Sequence, residues 1–337
     1  MAFAYDRAHL DLILPGIRID GIDVGGMARG QAINVVTARA DHALSTPIMV
    51  GAAQRTWTRS VEELGVRAQV SQAVSQALSA TNDVRWVRRV YDRLTNTPLD
   101  RSFDIHYRVL GGPIRDFLSQ VAVAEKVSPQ DAAIVPSPKG AGVTMQHAQP
   151  GRELDVVRAT TALESALATG AEQVTLPLQR VMPRVTDARL GKTITVSLST
   201  NTLHLYDGFR VVKSYPVATA MQGFTTPVGV WRVVVKDLHP SWTNPAPTGW
   251  AAGMPSFIPP GPDNPLGLRA LGLNAPGIFI HGTPESWSIG TYASHGCIRM
   301  FESNAMQLFP LVPEGTPVII YGSPPWGQGS GGGRVGP

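Results

Sequence analysis

The residues of this chain that could do chemistry are concentrated in one block, running from Ile280-His281-Gly282-Thr283 to Ser294-His295-Gly296-Cys297-Ile298-Arg299-Met300. Cys297 is the only cysteine. A free thiol titrates near about pH 8.5, so only a few per cent is thiolate at neutral pH. An imidazole within hydrogen-bond reach removes that barrier. It accepts the proton as sulfur attacks, or holds a preformed thiolate–imidazolium pair. A carboxylate or backbone carbonyl must then fix the tautomer of that imidazole. Gly296, beside Cys297, lets backbone N–H groups approach a developing oxyanion, each such donor being worth roughly 3–4 kcal/mol. The reaction class that follows is acyl transfer through a thioester.

Three blander readings compete for the same residues. Cys297 could be a buried hydrophobe, which would leave its histidine neighbours and flanking glycine unexplained. His281, His295 and Cys297 could bind zinc, but the His-Gly-Cys spacing makes ligation by both neighbours awkward and no fourth ligand offers itself. The histidines could also merely cap strands. The residues favour a Cys–His nucleophile over these.

Such groups need rigid elements to hold them. The C-terminal half supplies short strands: Thr193–Thr200 alternates strictly, and Thr202–Tyr206, Arg210–Lys213, Val230–Lys236, Gly277–Ile280 and Val318–Tyr321 follow with turn residues between them. That is the pattern of a mostly β domain of sandwich or barrel type. Between Asp237 and Pro276 lies a stretch crowded with Pro, Gly and Trp, the kind of long irregular segment that covers a functional site. Residues from Gly322 onward are Gly-rich and read as a flexible tail.

The N-terminal half reads as mixed α and β. Gly16–Gly26 is a strand running into a turn. Helices are expected over Gln31–Leu44, with Ile33, Val36, Ala40 and Leu44 near one face, and over Ser71–Ala80, Ile114–Val127 and Leu154–Ala168. Asp104–Leu110 and Gly142–Gln146 look like strands. Ser60-Val-Glu-Glu63 matches a capping box, with Gly65 limiting any helix there. His42, His106 and His147 stand alone and read as structural or surface residues.

Composition sets the outer bounds. At 43% apolar and 7% aromatic the chain is globular, and a lone cysteine excludes a disulfide scaffold or a Cys-rich zinc site. The net charge of +4 is shared evenly between the halves, so no nucleic-acid footprint stands out. Charged residues thin out beyond Val185-Thr-Asp-Ala-Arg-Leu-Gly191, which marks a linker. No run of apolar residues is long enough to span a bilayer, and the first residues lack the features of a signal peptide.

The chemical block resembles the catalytic motif of the L,D-transpeptidase family with its YkuD-type domain: a His followed at a distance by Ser/Thr-His-Gly-Cys, here His281 and Ser294-His295-Gly296-Cys297. His239-Pro-Ser-Trp242, Pro259-Pro-Gly-Pro262, Asn264-Pro-Leu-Gly267 and Gly277–Gly282 resemble the usual approach to that site. More weakly, Gly16–Gly26, Pro129-Gln-Asp-Ala-Ala133 and Gly151-Arg-Glu-Leu-Asp155 resemble the peptidoglycan-binding region that often precedes it; a plain spacer is the alternative.

The resemblance implies a role for each residue. Cys297 would attack the carbonyl between the third residue and the D-Ala of a peptidoglycan tetrapeptide stem. His281 would be the base, oriented by a carbonyl at or near Gly282. His295, Gly296 and the Cys297 amide, with Ser294, would shape the oxyanion pocket. The amine of a second stem would resolve the acyl-enzyme into a 3→3 cross-link, with no metal and no cofactor. Arg299 suits a carboxylate of the donor stem, a local ion pair being the alternative. Trp287 and Ser288 would line the substrate path or pack their loop. Implied partners are donor and acceptor stem peptides and covalent β-lactams of the carbapenem type; no nucleic acid is implied. Hydrolysis of the same thioester by a carboxypeptidase or endopeptidase, and a non-catalytic peptidoglycan-binding protein, are the competing functions.

The expected organisation is an α+β N-terminal region followed by a mainly β catalytic domain of β-sandwich-like fold. Its parts are an extension over 1–15 left by a removed membrane anchor, an accessory region over 16–186, a linker over 187–191, the catalytic domain over 192–322 and a tail over 323–337. The expected location is extracytoplasmic, at the cell wall or periplasm.

Overall fold

The computed structural model of the protein describes residues 2–327, so most of the expected tail lies outside the described residues. The chain divides into two compact units, one formed by Met1–Ser128 with Gly151–Val181 and the other by Pro129–Pro150 with Met182–Pro337. Pro129–Pro150 therefore packs with the C-terminal unit, although it lies within the stretch read as accessory region.

The first unit mixes helices with small sheets. Arg29–Leu44, Val70–Asn82, Gly111–Glu125 and Val156–Thr169 are its long helices. In Arg29–Leu44 the buried positions are Ala32, Val36, Ala40 and Leu44, a four-residue repeat that leaves Ile33 only partly covered. Val156–Thr169 starts later than its apolar pattern suggests. Asp155 caps it by accepting from Arg158 N, and Leu154 instead closes the strand Gly151–Leu154. The reciprocal bonds of a capping box do form between Ser60 and Glu63, at 2.7 and 3.1 Å, but the chain turns there and enters the strand Val66–Ala68. Two further helices, Ala2–Ala8 and Trp86–Thr95, carry no core-facing apolar stripe for a sequence reading to find. Two apolar clusters fill the unit, one around Ile17, Val36 and Val74 and one around Val50, Leu118 and Leu163.

The second unit is mainly β. Its eight-stranded sheet runs in the order Arg210–Pro216, Thr202–Asp207, Lys192–Ser197, Pro317–Tyr321, Gly229–Asp237, Ala270–Leu273, Phe279–Thr283, Ile298–Phe301. Most neighbours are antiparallel; Lys192–Ser197 with Pro317–Tyr321, and Phe279–Thr283 with Ile298–Phe301, are parallel. Ala270–Leu273 is a strand within the stretch expected to be irregular, and its four residues are all buried. Lys192–Ser197 alternates in sequence but is buried on both faces, Thr193, Thr195 and Ser197 included. One face joins the main core with Ile194 and Val196. Over the other lies a small cluster in which Ile134 and Val143 of the hairpin Ala133–Gln146 meet Tyr206 and Ile319. The helix Glu302–Leu308 follows the last strand of the site directly and packs Ala305 and Leu308 into the main core.

Candidate active site

Parallel neighbours cannot be joined by a tight turn, so the chain must cross over between Phe279–Thr283 and Ile298–Phe301. Residues 284–297 make that crossover, and they carry the Ser294–Cys297 motif to the start of the second strand. The register sets Ile280 beside Ile298 and His281 beside Arg299. Ile280 and Ile298 both point into the main core. Side chains alternate along a strand, so His281 and Arg299 project from the opposite face, and Cys297, two residues before Arg299, starts on that face too. The crossover thus places the thiol at the entrance to the strand that lies beside the one carrying His281.

His281 is 3% exposed, and its Nδ1 lies 2.6 Å from the Gly282 carbonyl oxygen. The oxygen can only accept, so Nδ1 carries the proton and Nε2 is the basic nitrogen. Burial pushes the imidazole down to about 4; Arg299 adds to this, and the Gly282 carbonyl opposes it. Cys297 is half-buried, with Sγ 3.4 Å from the Gly277 carbonyl. Burial pushes its thiol up, against opposing effects of the Phe279 backbone and Arg299. Both shifts disfavour the charged form of their group.

The Ser294-His295-Gly296 turn is held from several sides. Gly296 has φ +141°, and a Cβ there would press Ile278 Cδ1 and Thr225 O at 3.2 Å, so both conformation and space ask for glycine. Its N–H donates to Ser294 Oγ at 3.2 Å, and its carbonyl accepts from Thr226 Oγ1 at 2.8 Å. Thr226, itself buried, accepts from the Ala220 amide. The His295 ring lies flat on Trp250, with centroids 3.7 Å apart, and meets the edge of Phe224 at 4.5 Å. Burial and then Arg299 lower the titration of His295, while Glu285 raises it.

Thr226, Phe224 and Trp250 are additions that motif spacing did not reveal. Only Trp250 had a signal, its place in the Pro-, Gly- and Trp-rich stretch. That stretch is organised by two asparagines. Asn264 is fully buried and donates to the carbonyls of Pro240, Ile258 and Pro259, while Asn244 donates to Ala251 and Met254 around Trp250.

Of the residues read as contacting substrate, Arg299 is paired within the chain, its Nη1 lying 2.6 Å from Glu285 Oε2. Trp287, in the crossover, is 72% exposed. Ser288 follows the second of its two readings, the packing of its own loop. It is buried, and its hydroxyl donates to Glu285 O at 2.7 Å, so it closes the turn Ser286–Ser288 instead of facing a substrate. Glu302 is a further unforeseen neighbour. Its Oε2 accepts from Leu268 N at 3.1 Å, and a Cβ on Gly282 would lie 2.6 Å from its Cδ. Among the described residues, no three His, Cys, Asp or Glu side chains converge as a metal site requires.

The site thus sets a lone thiol just before one strand and a tautomer-fixed imidazole on the strand beside it. Residues 191–320 match the family model described as "L,D-transpeptidase catalytic domain", and residues 57–175 match the one described as "Putative peptidoglycan binding domain". "Putative L,D-transpeptidase YqjB" of Bacillus subtilis is 36% identical over 132 residues, which cover 38% of this chain and 69% of that one. "Probable L,D-transpeptidase ErfK/SrfK" of Escherichia coli K12 is 32% identical over 186 residues, covering 52% of this chain and 58% of the relative. Among solved structures, the catalytic domain of an Enterococcus faecium L,D-transpeptidase acylated by ertapenem is 25% identical, with 39% of this chain and 96% of that chain covered at a TM-score of 0.31. The chain spans 58% and 56% of the length of the first curated relatives it matches. The chain belongs to the L,D-transpeptidase family.

Proposed function

We propose that the chain is an L,D-transpeptidase that forms 3→3 peptidoglycan cross-links at the cell wall. The observation that carries this reading is the Nδ1 bond from His281 to the Gly282 carbonyl, on the strand in parallel register with the one that Cys297 leads into. Cys297 Sγ attacks the carbonyl that joins the third stem residue to D-Ala as His281 Nε2 takes the thiol proton. The tetrahedral oxyanion collapses, the C–N bond breaks, and the imidazolium returns that proton to the departing D-Ala amine. The side-chain amine of an acceptor stem then attacks the thioester, gives up a proton to His281, and restores the thiol.

Burial, which disfavours charge on both groups, supports concerted proton transfer over a preformed thiolate. Because the Gly296 amide is engaged by Ser294, the Cys297 amide is the better-placed backbone donor for the oxyanion. Arg299 would exchange Glu285 for a donor carboxylate, a trade of like for like. The 57–175 match supports peptidoglycan as the ligand of the accessory unit.

Incubation of the full chain with a disaccharide-tetrapeptide, read by mass spectrometry, tests the proposal. The expected product is a cross-linked dimer with loss of D-Ala, and Cys297→Ala should yield neither dimer nor a carbapenem adduct. Release of D-Ala with tripeptide alone, in the presence of acceptor, would assign hydrolysis instead. A carbapenem adduct on the Cys297→Ala protein would overturn the assignment of the nucleophile.

A further inference from the structure

The helix Trp86–Thr95 is amphipathic in the inverted sense. Its charged side faces inward. Arg89 is buried and holds Asp6 of the helix Ala2–Ala8 through two contacts, at 3.0 and 2.5 Å, while donating also to the carbonyls of Asn82 and Val84. Arg93 reaches Asp6 at 3.2 Å and Leu12 O at 2.9 Å, and buried Asp92 holds Arg88 at 2.7 Å. The apolar stripe of the same helix faces outward, with Trp86, Val87, Tyr91 and Leu94 exposed by 41, 59, 56 and 68%. Phe3, 55% exposed, extends the stripe by meeting the edge of Trp86 at 5.7 Å. A soluble surface helix normally does the reverse, and contiguous exposed apolar surface of this kind marks an interaction site.

The charges around the stripe say what it meets. These two helices and the cap residue Arg85 hold five arginines against two aspartates, and both aspartates, Asp6 and Asp92, are buried. Within these helices and the cap the exposed charges are Arg7, Arg85 and Arg88, all positive; the exposed acids Asp11 and Asp83 lie outside them. Arg7 lies over Phe3 at 5.9 Å and Arg88 over Tyr91 at 5.8 Å, each cation next to an aromatic ring. A second copy related by a two-fold axis would set arginine against arginine and is disfavoured. Aromatic rings among arginines suit a boundary that is apolar below and anionic above, where Trp and Tyr settle and arginines reach phosphate. At ten residues the helix is far too short to span a bilayer and has the form of one that lies on its surface.

We propose that the outward face of Trp86–Thr95, with Phe3, docks this unit on an anionic lipid bilayer. The ion pairs beneath it fix the helix so that the stripe is presented without unfolding anything.

Sedimentation of the full chain with vesicles of phosphatidylglycerol and phosphatidylcholine, against phosphatidylcholine alone, is the test. Binding should appear on the anionic vesicles, weaken as salt rises, and fall at least about tenfold in the triple variant Trp86→Ser, Tyr91→Ser, Leu94→Ser. Arg7→Gln with Arg85→Gln should cost about fivefold per arginine on anionic vesicles only. If the triple variant loses its fold, Val87→Ser with Leu94→Ser, both more than half exposed, makes the same measurement. Absence of binding at low salt, equal binding to both vesicle types, or binding untouched by the folded variants would overturn the proposal. So would a concentration-dependent dimer that these substitutions abolish, which would give the face to a second copy.

Discussion

The two units of this molecule bury polar groups for opposite ends. In the N-terminal unit the buried charges sit in ion pairs, Asp6 with Arg89 and Arg93, Asp92 with Arg88, and Glu125 with Arg152 and, at 3.6 Å, Arg55, and those of Asp6 and Glu125 clamp elements to one another. In the C-terminal unit the buried polar groups Thr226, Ser294, Asn264 and His281 bond chiefly to backbone around one thiol. Ion pairs tolerate some slack, because Coulomb attraction changes slowly with distance. Hydrogen bonds to backbone do not, and they set a loop to within a fraction of an ångström. The unit that carries Cys297 uses the stricter device.

The largest contrast should appear at His281. Its replacement by Gln keeps a similar volume and removes the base. The rate of Cys297 acylation should fall by about 10²–10⁴, measured by stopped-flow or mass spectrometry with a carbapenem. The same substitution changes the pH dependence of stability, with a sign that follows from the direction of the shift. Folded His281 titrates at about 4, below the unfolded value of 6.5, so between these the unfolded chain binds more protons. Stability therefore rises with pH across that window and is lost as pH falls through it, by up to about 3 kcal/mol. His281→Gln should flatten the rise in denaturant titrations between those pH values. A matching prediction concerns the thiol: alkylation of Cys297 by iodoacetamide should climb only above the ordinary thiol range, with no low-pH plateau of a standing thiolate.

Next in size is the clamp of the other unit. Asp6→Ala would leave Arg89 and Arg93 buried without their carboxylate, which costs about 3–5 kcal/mol. Hydrogen exchange should quicken in Trp86–Thr95 and stay unchanged in Phe279–Thr283. Exchange that quickened equally in both strands and helices would erase the distinction drawn between the units.

The divide between units also governs what the sequence could disclose. His281 and Ser294–Cys297 could be proposed from sequence because they fall in one short block, His281 within the strand Phe279–Thr283 and Cys297 just before the strand Ile298–Phe301. Thr226, Phe224 and Glu302 could not, because each arrives from another segment through tertiary packing, and spacing carries no trace of that. For Ser288 the sequence left two readings open, because proximity in sequence does not say which way a hydroxyl turns; this one turns into its own loop. In the fold, the strict alternation of Thr193–Thr200 announced a strand but not what lies on its polar face. The hairpin Ala133–Gln146 covers that face from far upstream, so the threonines are buried. The helix Trp86–Thr95 escaped notice because its apolar residues do not face a core.

Gly282→Ala probes how tightly the stricter device is set. The added methyl meets the Glu302 carboxylate, and overpacking of this kind costs about 1–3 kcal/mol. Acylation should slow as well, since the displaced carbonyl is the one that fixes the His281 tautomer. Adding Glu302→Ala should recover part of both losses in a double-mutant cycle. No recovery would mean that the Gly282 backbone is constrained by something other than Glu302.

The smallest effect is expected where the C-terminal unit borrows the device of the other. Arg299 and Glu285 form an ion pair, but Glu285 is half exposed, unlike Asp6. Exposed pairs contribute about 0–1 kcal/mol, so Glu285→Gln should leave the melting temperature nearly unchanged. Its effect should fall on substrate. Without the resident carboxylate, Arg299 meets a donor carboxylate without first giving up a partner, and KM for the tetrapeptide should fall a few-fold with kcat nearly constant. The same change removes the influence that raises the titration of His295, which should move lower still by NMR. A higher KM in Glu285→Gln would show instead that the pair holds Arg299 in its working position, and the ion pair would then serve the site as the buried clamps serve the N-terminal unit.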